Sequence, residues 1–185
     1  MTTSTVTLFL GLLTWVALVS IGGTAALMIG SRFSKGARRG WARLRLTLGP
    51  SAVSIALGVA IIATLGSLYF SEVAHFIPCK LCWYQRIAMY PLVPILIVLL
   101  VRREPSGRWY AVPLATAGAV ISTYHYALQR VPALDTGACS ADAACTVVWV
   151  NRFGFMTIPF MALAAFLLIL TALLAWYPFG AEERS

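Results

Sequence analysis

Charge is what this sequence has least of. Only 11% of its 185 residues are Asp, Glu, Lys or Arg, against about 25% in an ordinary soluble domain. That deficit excludes a water-facing globular surface and points to a bilayer as solvent. Acidic residues are the scarcer sign, six against 14 basic. With four cysteines and two histidines, few groups are able to carry redox, proton or metal chemistry. No repeat, low-complexity run or polar stretch long enough for a soluble domain is present. The apolar–polar alternation that transmembrane strands require is also missing.

What is present is length without charge. Uncharged runs cover 1–31, 46–71, 87–101, 109–129 and 153–181. All but the third exceed the roughly 20 residues a helix needs to cross a hydrocarbon core. Residues 83–86 complete the third, with Arg86 near the interface. Each crossing must satisfy its own backbone hydrogen bonds, so these runs predict five transmembrane helices.

The +8 net charge is not a nucleic-acid signal, because of where the charges lie. Arg32, Lys35, Arg38, Arg39, Arg43 and Arg45 fall between the first two spans, and Arg102, Arg103 and Arg108 between the third and fourth. Short basic loops stay cytoplasmic. The N-terminus and the loops around 72–82 and 130–152 are therefore expected outside, and the C-terminal "GAEERS" inside. The organisation read from this is an N-terminal transmembrane helix over 1–31 and a basic cytoplasmic loop over 32–49. A bundle of four antiparallel helices over 50–178 and a cytoplasmic tail over 179–185 follow. The first span reads as an uncleaved anchor: "MTTSTVT" has no positive charge, no small-x-small site follows, and cleavage would imply translocating the most basic loop. Its Gly22 and Ala26 offer small residues at a spacing that lets helices approach. Pro91 and Pro94 predict a kink in span 3, whereas Pro113 and Pro159 fall near helix ends.

All four cysteines are expected on the outer side, Cys79 and Cys82 in the first loop and Cys139 and Cys145 in the second. Four thiols on an oxidising face suggest disulfides. Three connectivities are possible, and pairing within each loop is the simplest. In "PCKLCWYQR", Pro78 suits the first turn of a helix, which places Cys79 and Cys82 at the N-terminal turn of span 3. Free N–H groups and the helix dipole there lower a thiol pKa. Arg86 lies one turn deeper than Cys82 on the same face. A guanidinium at that depth needs a partner, either a Cys82 thiolate or a polar ligand group. His125, in "STYHYALQR", is expected at a similar depth. Two polar donors beside a redox pair suggest a pocket for a lipid-soluble molecule bearing carbonyls, such as a quinone. Cys139 and Cys145 sit in "DTGACSADAACTVVWVN", a loop of small and acidic residues suited to presenting a disulfide to another protein's thiolate. The apolar "VVWVNRF" after it suits the membrane interface.

Other readings compete. A CxxC is also a metal half-site or a staple, although a cation one turn below disfavours a metal. A metal-binding membrane protein would use the four thiols and His75 as ligands. A membrane scaffold without catalysis would hold two unreactive disulfides.

"PCKLCWYQRIAMYPL" resembles the DsbB/BdbC disulfide-bond-formation family, in which a CxxC followed by an aromatic pair and an arginine opens a helix. "TYHYALQRVP" and "CSADAACTVVWVNRFGFMTIPFMALAAFLLIL" are similar to its BdbC branch. The likeness covers about residues 50–178 and omits the first span. It implies an all-α, polytopic bundle of four transmembrane helices, with the N-terminal helix as an addition. The implied activity is that of a protein-dithiol:quinone oxidoreductase in a bacterial cytoplasmic membrane. It implies reoxidation of a thioredoxin-fold partner of the DsbA/BdbD type and transfer of electrons to ubiquinone or menaquinone, with no metal. Carried over, Cys139 and Cys145 exchange with the partner, Cys139 forming the mixed disulfide. Cys79 and Cys82 face the quinone with Cys82 beside its ring, and Arg86 and His125 bind it. A vitamin K epoxide reductase-like enzyme ranks lower, because there the loop pair precedes the membrane CxxC and here the order is reversed.

Overall fold

The computed structural model describes residues 3–103, 107–134, 139 and 144–176. Its helices are α1 (Thr3–Gly30), α2 (Lys35–Leu48), α3 (Ala52–Leu68), α4 (Lys80–Met89), α5 (Leu92–Arg102), α6 (Arg108–Arg130) and α7 (Ile158–Thr171). Both α3 and α7 end in a wider, π-helical turn, Tyr69–Val73 and Ala172–Trp176.

Among the described residues, four helical stretches are long and apolar enough to cross a membrane: Thr3–Gly30, Lys35–Val73, Lys80–Arg102 and Ile158–Trp176. The remaining expected span, α6, has the length, 23 residues, but is less apolar. It turns Ser122 and His125 into the bundle interior. The chain is an all-α, multi-pass membrane protein.

The segment 32–49 is not a loop. Lys35–Leu48 is helical and runs through a tight turn at Gly49–Ser51 into α3. Its basic and apolar residues fall on different faces, and none is buried. A periodic pattern of this kind forms a helix at an interface as readily as in a core. The break in span 3 falls at Tyr90–Pro91, between α4 and α5, because a proline ring excludes the preceding turn's hydrogen bond.

Helices α3, α5, α6 and α7 pack in a closed ring, with α4 against α6 and α1 along the outside of α7. Small residues make the ring tight. Ala52, Ala56 and Ala60 are fully buried along one face of α3, recurring every four residues as a helical stripe requires. On α6 the stripe is Ala111, Ala115, Gly118, Ala119, Ser122 and His125. A Cβ on Gly118 would overlap the ring of the fully buried Phe166 on α7. This stripe sets His125 at the cysteine-bearing end of the bundle. Gly22, by contrast, meets nothing within 4 Å. The close approaches of α1 lie instead at Gly11, against Phe153, and at Leu10, against Gly66 of α3.

Candidate functional site

Cys79 is the N-cap of α4, and its sulfur accepts from the Cys82 amide at 3.3 Å. The sulfur thus occupies the position a serine or aspartate oxygen takes in other helices. Pro78 precedes the cap rather than opening the helix. The Cys79 and Cys82 sulfurs lie 2.9 Å apart as unbonded thiols. Cys139 and Cys145 form a disulfide, the local pairing that was simplest on spacing.

The two pairs meet at His125, which is buried. Its Nε2 is 3.7 Å from Cys79 Sγ and 3.2 Å from the Cys145 carbonyl oxygen. Gln85 Nε2 lies 3.2 Å from His125 Nδ1 and fixes the ring from the other side. Cys79, Cys145, Leu81 and Leu128 form one buried cluster, with Cys82 and Cys139 packed against it. The Cys79 pKa is lowered to about 4. The largest cause is the hydrogen bond from the Cys82 thiol. Burial opposes it, while the hydrogen bond and charge of His125 lower the value further, as does the Cys82 amide.

Arg86 is buried one turn below Cys82. Its hydrogen-bond partner is Ser67 on α3. Arg86 Nε donates to the Ser67 hydroxyl and Nη2 to the Ser67 carbonyl, both at 3.0 Å. The guanidinium also lies 5.1 Å from the centroid of the Trp83 ring, a cation–π contact. Tyr90 Oη reaches Ser67 Oγ at 3.4 Å. Ser67 is one of few polar residues in the apolar run 46–71, and that is the available signal for it.

Beside Cys82 and Arg86 opens a cavity of about 480 Å³, lined mainly by apolar side chains. Ser67, Gln85 and Tyr90 are among its polar lining. Three stacked rings form part of its lining. Phe70 lies on Phe76 at 5.7 Å between centroids, and Phe76 on Trp149 at 4.9 Å. Trp149 thereby ties the second cysteine loop to the first. His125 does not line this cavity, although depth alone had paired it with Arg86. It faces the cysteines in a separate recess of about 30 Å³.

The metal alternative changes shape. The four thiols and His75 do not converge, since Cys139 and Cys145 are bonded to each other and His75 is exposed in the first loop. Among the described residues, the donors that do converge are Cys79, Cys82 and His125, within 4.8 Å of one another. Asp135 and Asp142, candidate partner contacts in the second loop, lie outside the described residues.

A membrane bundle that brings a CxxC, a loop disulfide and an imidazole into contact defines a thiol–disulfide protein. The family described as "Disulfide bond formation protein DsbB" matches residues 45–177, and the chain belongs to that family. It is 51% identical over 113 residues to "Disulfide bond formation protein C" of Bacillus subtilis, covering 60% of this chain and 82% of that protein. It is 50% identical over 119 residues to "Probable disulfide formation protein C 1" of Bacillus cereus, covering 64% and 86%. No solved structure matches significantly.

Proposed function

We propose that this chain is a protein-dithiol:quinone oxidoreductase. It reoxidises a thioredoxin-fold partner and hands the electrons to a quinone within the membrane. The observation that carries the proposal is the apolar cavity whose polar end holds Cys82 and Arg86.

In this reading a partner thiolate attacks Cys139 of the Cys139–Cys145 disulfide and releases Cys145 as thiolate. The partner's second thiolate then displaces Cys139, so the partner leaves as a disulfide and the loop pair holds two more electrons. Cys145 next attacks Cys79 of an oxidised Cys79–Cys82 pair, with Cys82 leaving. Attack by Cys139 on Cys145 restores the loop disulfide and leaves Cys79 and Cys82 as a dithiol. The contacts from His125 to Cys79 and to the Cys145 carbonyl support this route. The Cys79–Cys82 dithiol gives two electrons and two protons to the quinone, which leaves as hydroquinone. Arg86, held by Ser67, supplies a fixed positive charge where an acceptor's oxygen gains negative character. Basic residues gathered at the opposite end support a bacterial cytoplasmic membrane location with both cysteine loops extracytoplasmic.

The test is reconstitution of the full chain with a reduced thioredoxin-fold protein and a quinone. Wild type consumes the quinone, and Cys79→Ser and Cys82→Ser do not, while each variant still forms Cys139–Cys145. Quinone reduction that persists in Cys82→Ser would sink the assignment. A metal site at Cys79, Cys82 and His125 predicts instead stoichiometric zinc after purification and no quinone turnover.

A further inference from the structure

The family match begins at residue 45, yet one wall of the cavity comes from before it. Leu10, Leu13, Thr14, Val16, Ala17 and Ser20 of α1 all line it. Their spacings of three and four residues mark one helical stripe, roughly 15 Å long at 1.5 Å per residue. The facing wall includes Ile55, Val59 and Ile62 of α3. The cavity therefore runs lengthwise between α1 and α3, with Met161, Ala165 and Leu168 of α7 completing its lining. Ser67, Cys82 and Arg86 stand at one end, and Leu48 and Trp176 lie towards the other.

The α1 wall is fastened at both ends. Arg152 Nη2 donates to the Ser4 carbonyl at 2.8 Å and hydroxyl at 2.6 Å, and Arg152 Nε to Thr7 Oγ1 at 3.1 Å. Towards the opposite end, Trp176 Nε1 donates to Thr24 Oγ1 at 3.1 Å. Trp15 meets Phe153 and Phe155 edge-on between them. The stripe's hydroxyls are spent within the helix. Thr14 donates to the Leu10 carbonyl and Ser20 to the Val16 carbonyl, each at 2.8 Å. The wall thus presents hydrocarbon to the cavity.

We propose that α1 completes a channel for the prenyl tail of the quinone, so that the protein selects long-tailed acceptors over bare quinone rings. This rests on the quinone reading above. Lipid chains are as apolar as leucine, so hydrophobicity by itself gives a tail no reason to leave the bilayer. A fixed wall supplies what lipid does not: close packing along the tail, and an orientation of the ring towards Cys82 and Arg86 set by where the tail lies. A bundle without α1 would leave this side open to lipid and discriminate tails less.

The experiment uses the full chain in detergent with two acceptors sharing one ring, one with several prenyl units and one with none. Wild type shows the lower KM for the prenylated acceptor. Leu13→Trp fills the channel and raises the ratio of the prenylated KM to the bare-ring KM by about tenfold relative to wild type. Ser20→Leu, further from the ring site, moves the ratio the same way and carries the test if Leu13→Trp does not fold. A general loss of structure lowers both activities together and leaves the ratio in place. An unchanged ratio in a folded, active variant overturns the channel while leaving quinone reduction standing. Failure of wild type to reduce either acceptor overturns the quinone reading, and the channel with it.

Discussion

His125 touches Cys79 through the same nitrogen that reaches the backbone of Cys145, at 3.7 Å and 3.2 Å. One imidazole is thereby placed between the loop disulfide and the CxxC. At that junction it favours the thiolate form of Cys79, the form that leaves and attacks in exchange.

The pH dependence of Cys79 follows with a definite sign. With its pKa lowered to about 4, the reduced protein holds Cys79 as thiolate across the neutral range. Its alkylation rate stays nearly flat between about pH 8 and pH 6, where an ordinary thiol of pKa about 8.5 slows roughly tenfold per unit. His125→Ala removes a hydrogen bond and a charge that both lower the value. The pKa therefore rises, and alkylation at about pH 6 falls. Peptide mapping after timed labelling reads this directly, and a pH profile identical in wild type and variant refutes the role.

Arg86 acts as a fork rather than a point charge, because Nε and Nη2 engage two different oxygens of Ser67. Arg86→Lys therefore does not rescue what Arg86→Gln loses in quinone reduction. Ser67→Ala removes one hydrogen bond to a charged group, about 1.5–3 kcal/mol. It lowers kcat/KM for quinone by roughly tenfold or more. Steady-state kinetics over a range of quinone concentration measure both. Full activity in Arg86→Lys is the result that contradicts the geometry.

Gly118 is the point where α6 and α7 come closest to steric limits. Adding even a methyl group there presses on Phe166, and overpacking of this kind costs about 1–3 kcal/mol. Gly118→Ala lowers the melting temperature of the purified protein, Gly118→Leu lowers it further, and Phe166→Leu in the Gly118→Ala background restores part of the loss. A Gly118→Ala protein as stable as wild type would mean that the helices separate freely at this level.

Much of the architecture is legible in the chain because a bilayer leaves few choices. Apolar runs of helical length must be helices, and Pro91 must break one. The chemistry-bearing residues are legible for a related reason: in so apolar a sequence, Cys79, Cys82, Arg86, His125, Cys139 and Cys145 stand out. Their pairing in space is not. Depth put His125 with Arg86, but a helix has sides as well as height, and the side of α6 that carries His125 faces the cysteines. Ser67 and Gln85 do not stand out in the sequence, because a lone serine in a span, or a glutamine beside an arginine, has many bland uses.

What the sequence determined by itself is the solvent and the inventory: a lipid-embedded helical chain with two thiol pairs and one arginine near the membrane edge. Those follow from backbone hydrogen bonding and the cost of burying charge, which act on each segment alone. Only the tertiary structure decided which groups meet. It joined Arg86 to Ser67, set His125 against Cys79 and Cys145, and laid α1 along the cavity beside Cys82. Such contacts depend on how the small-residue stripes of separate helices interlock, and no single segment carries that information.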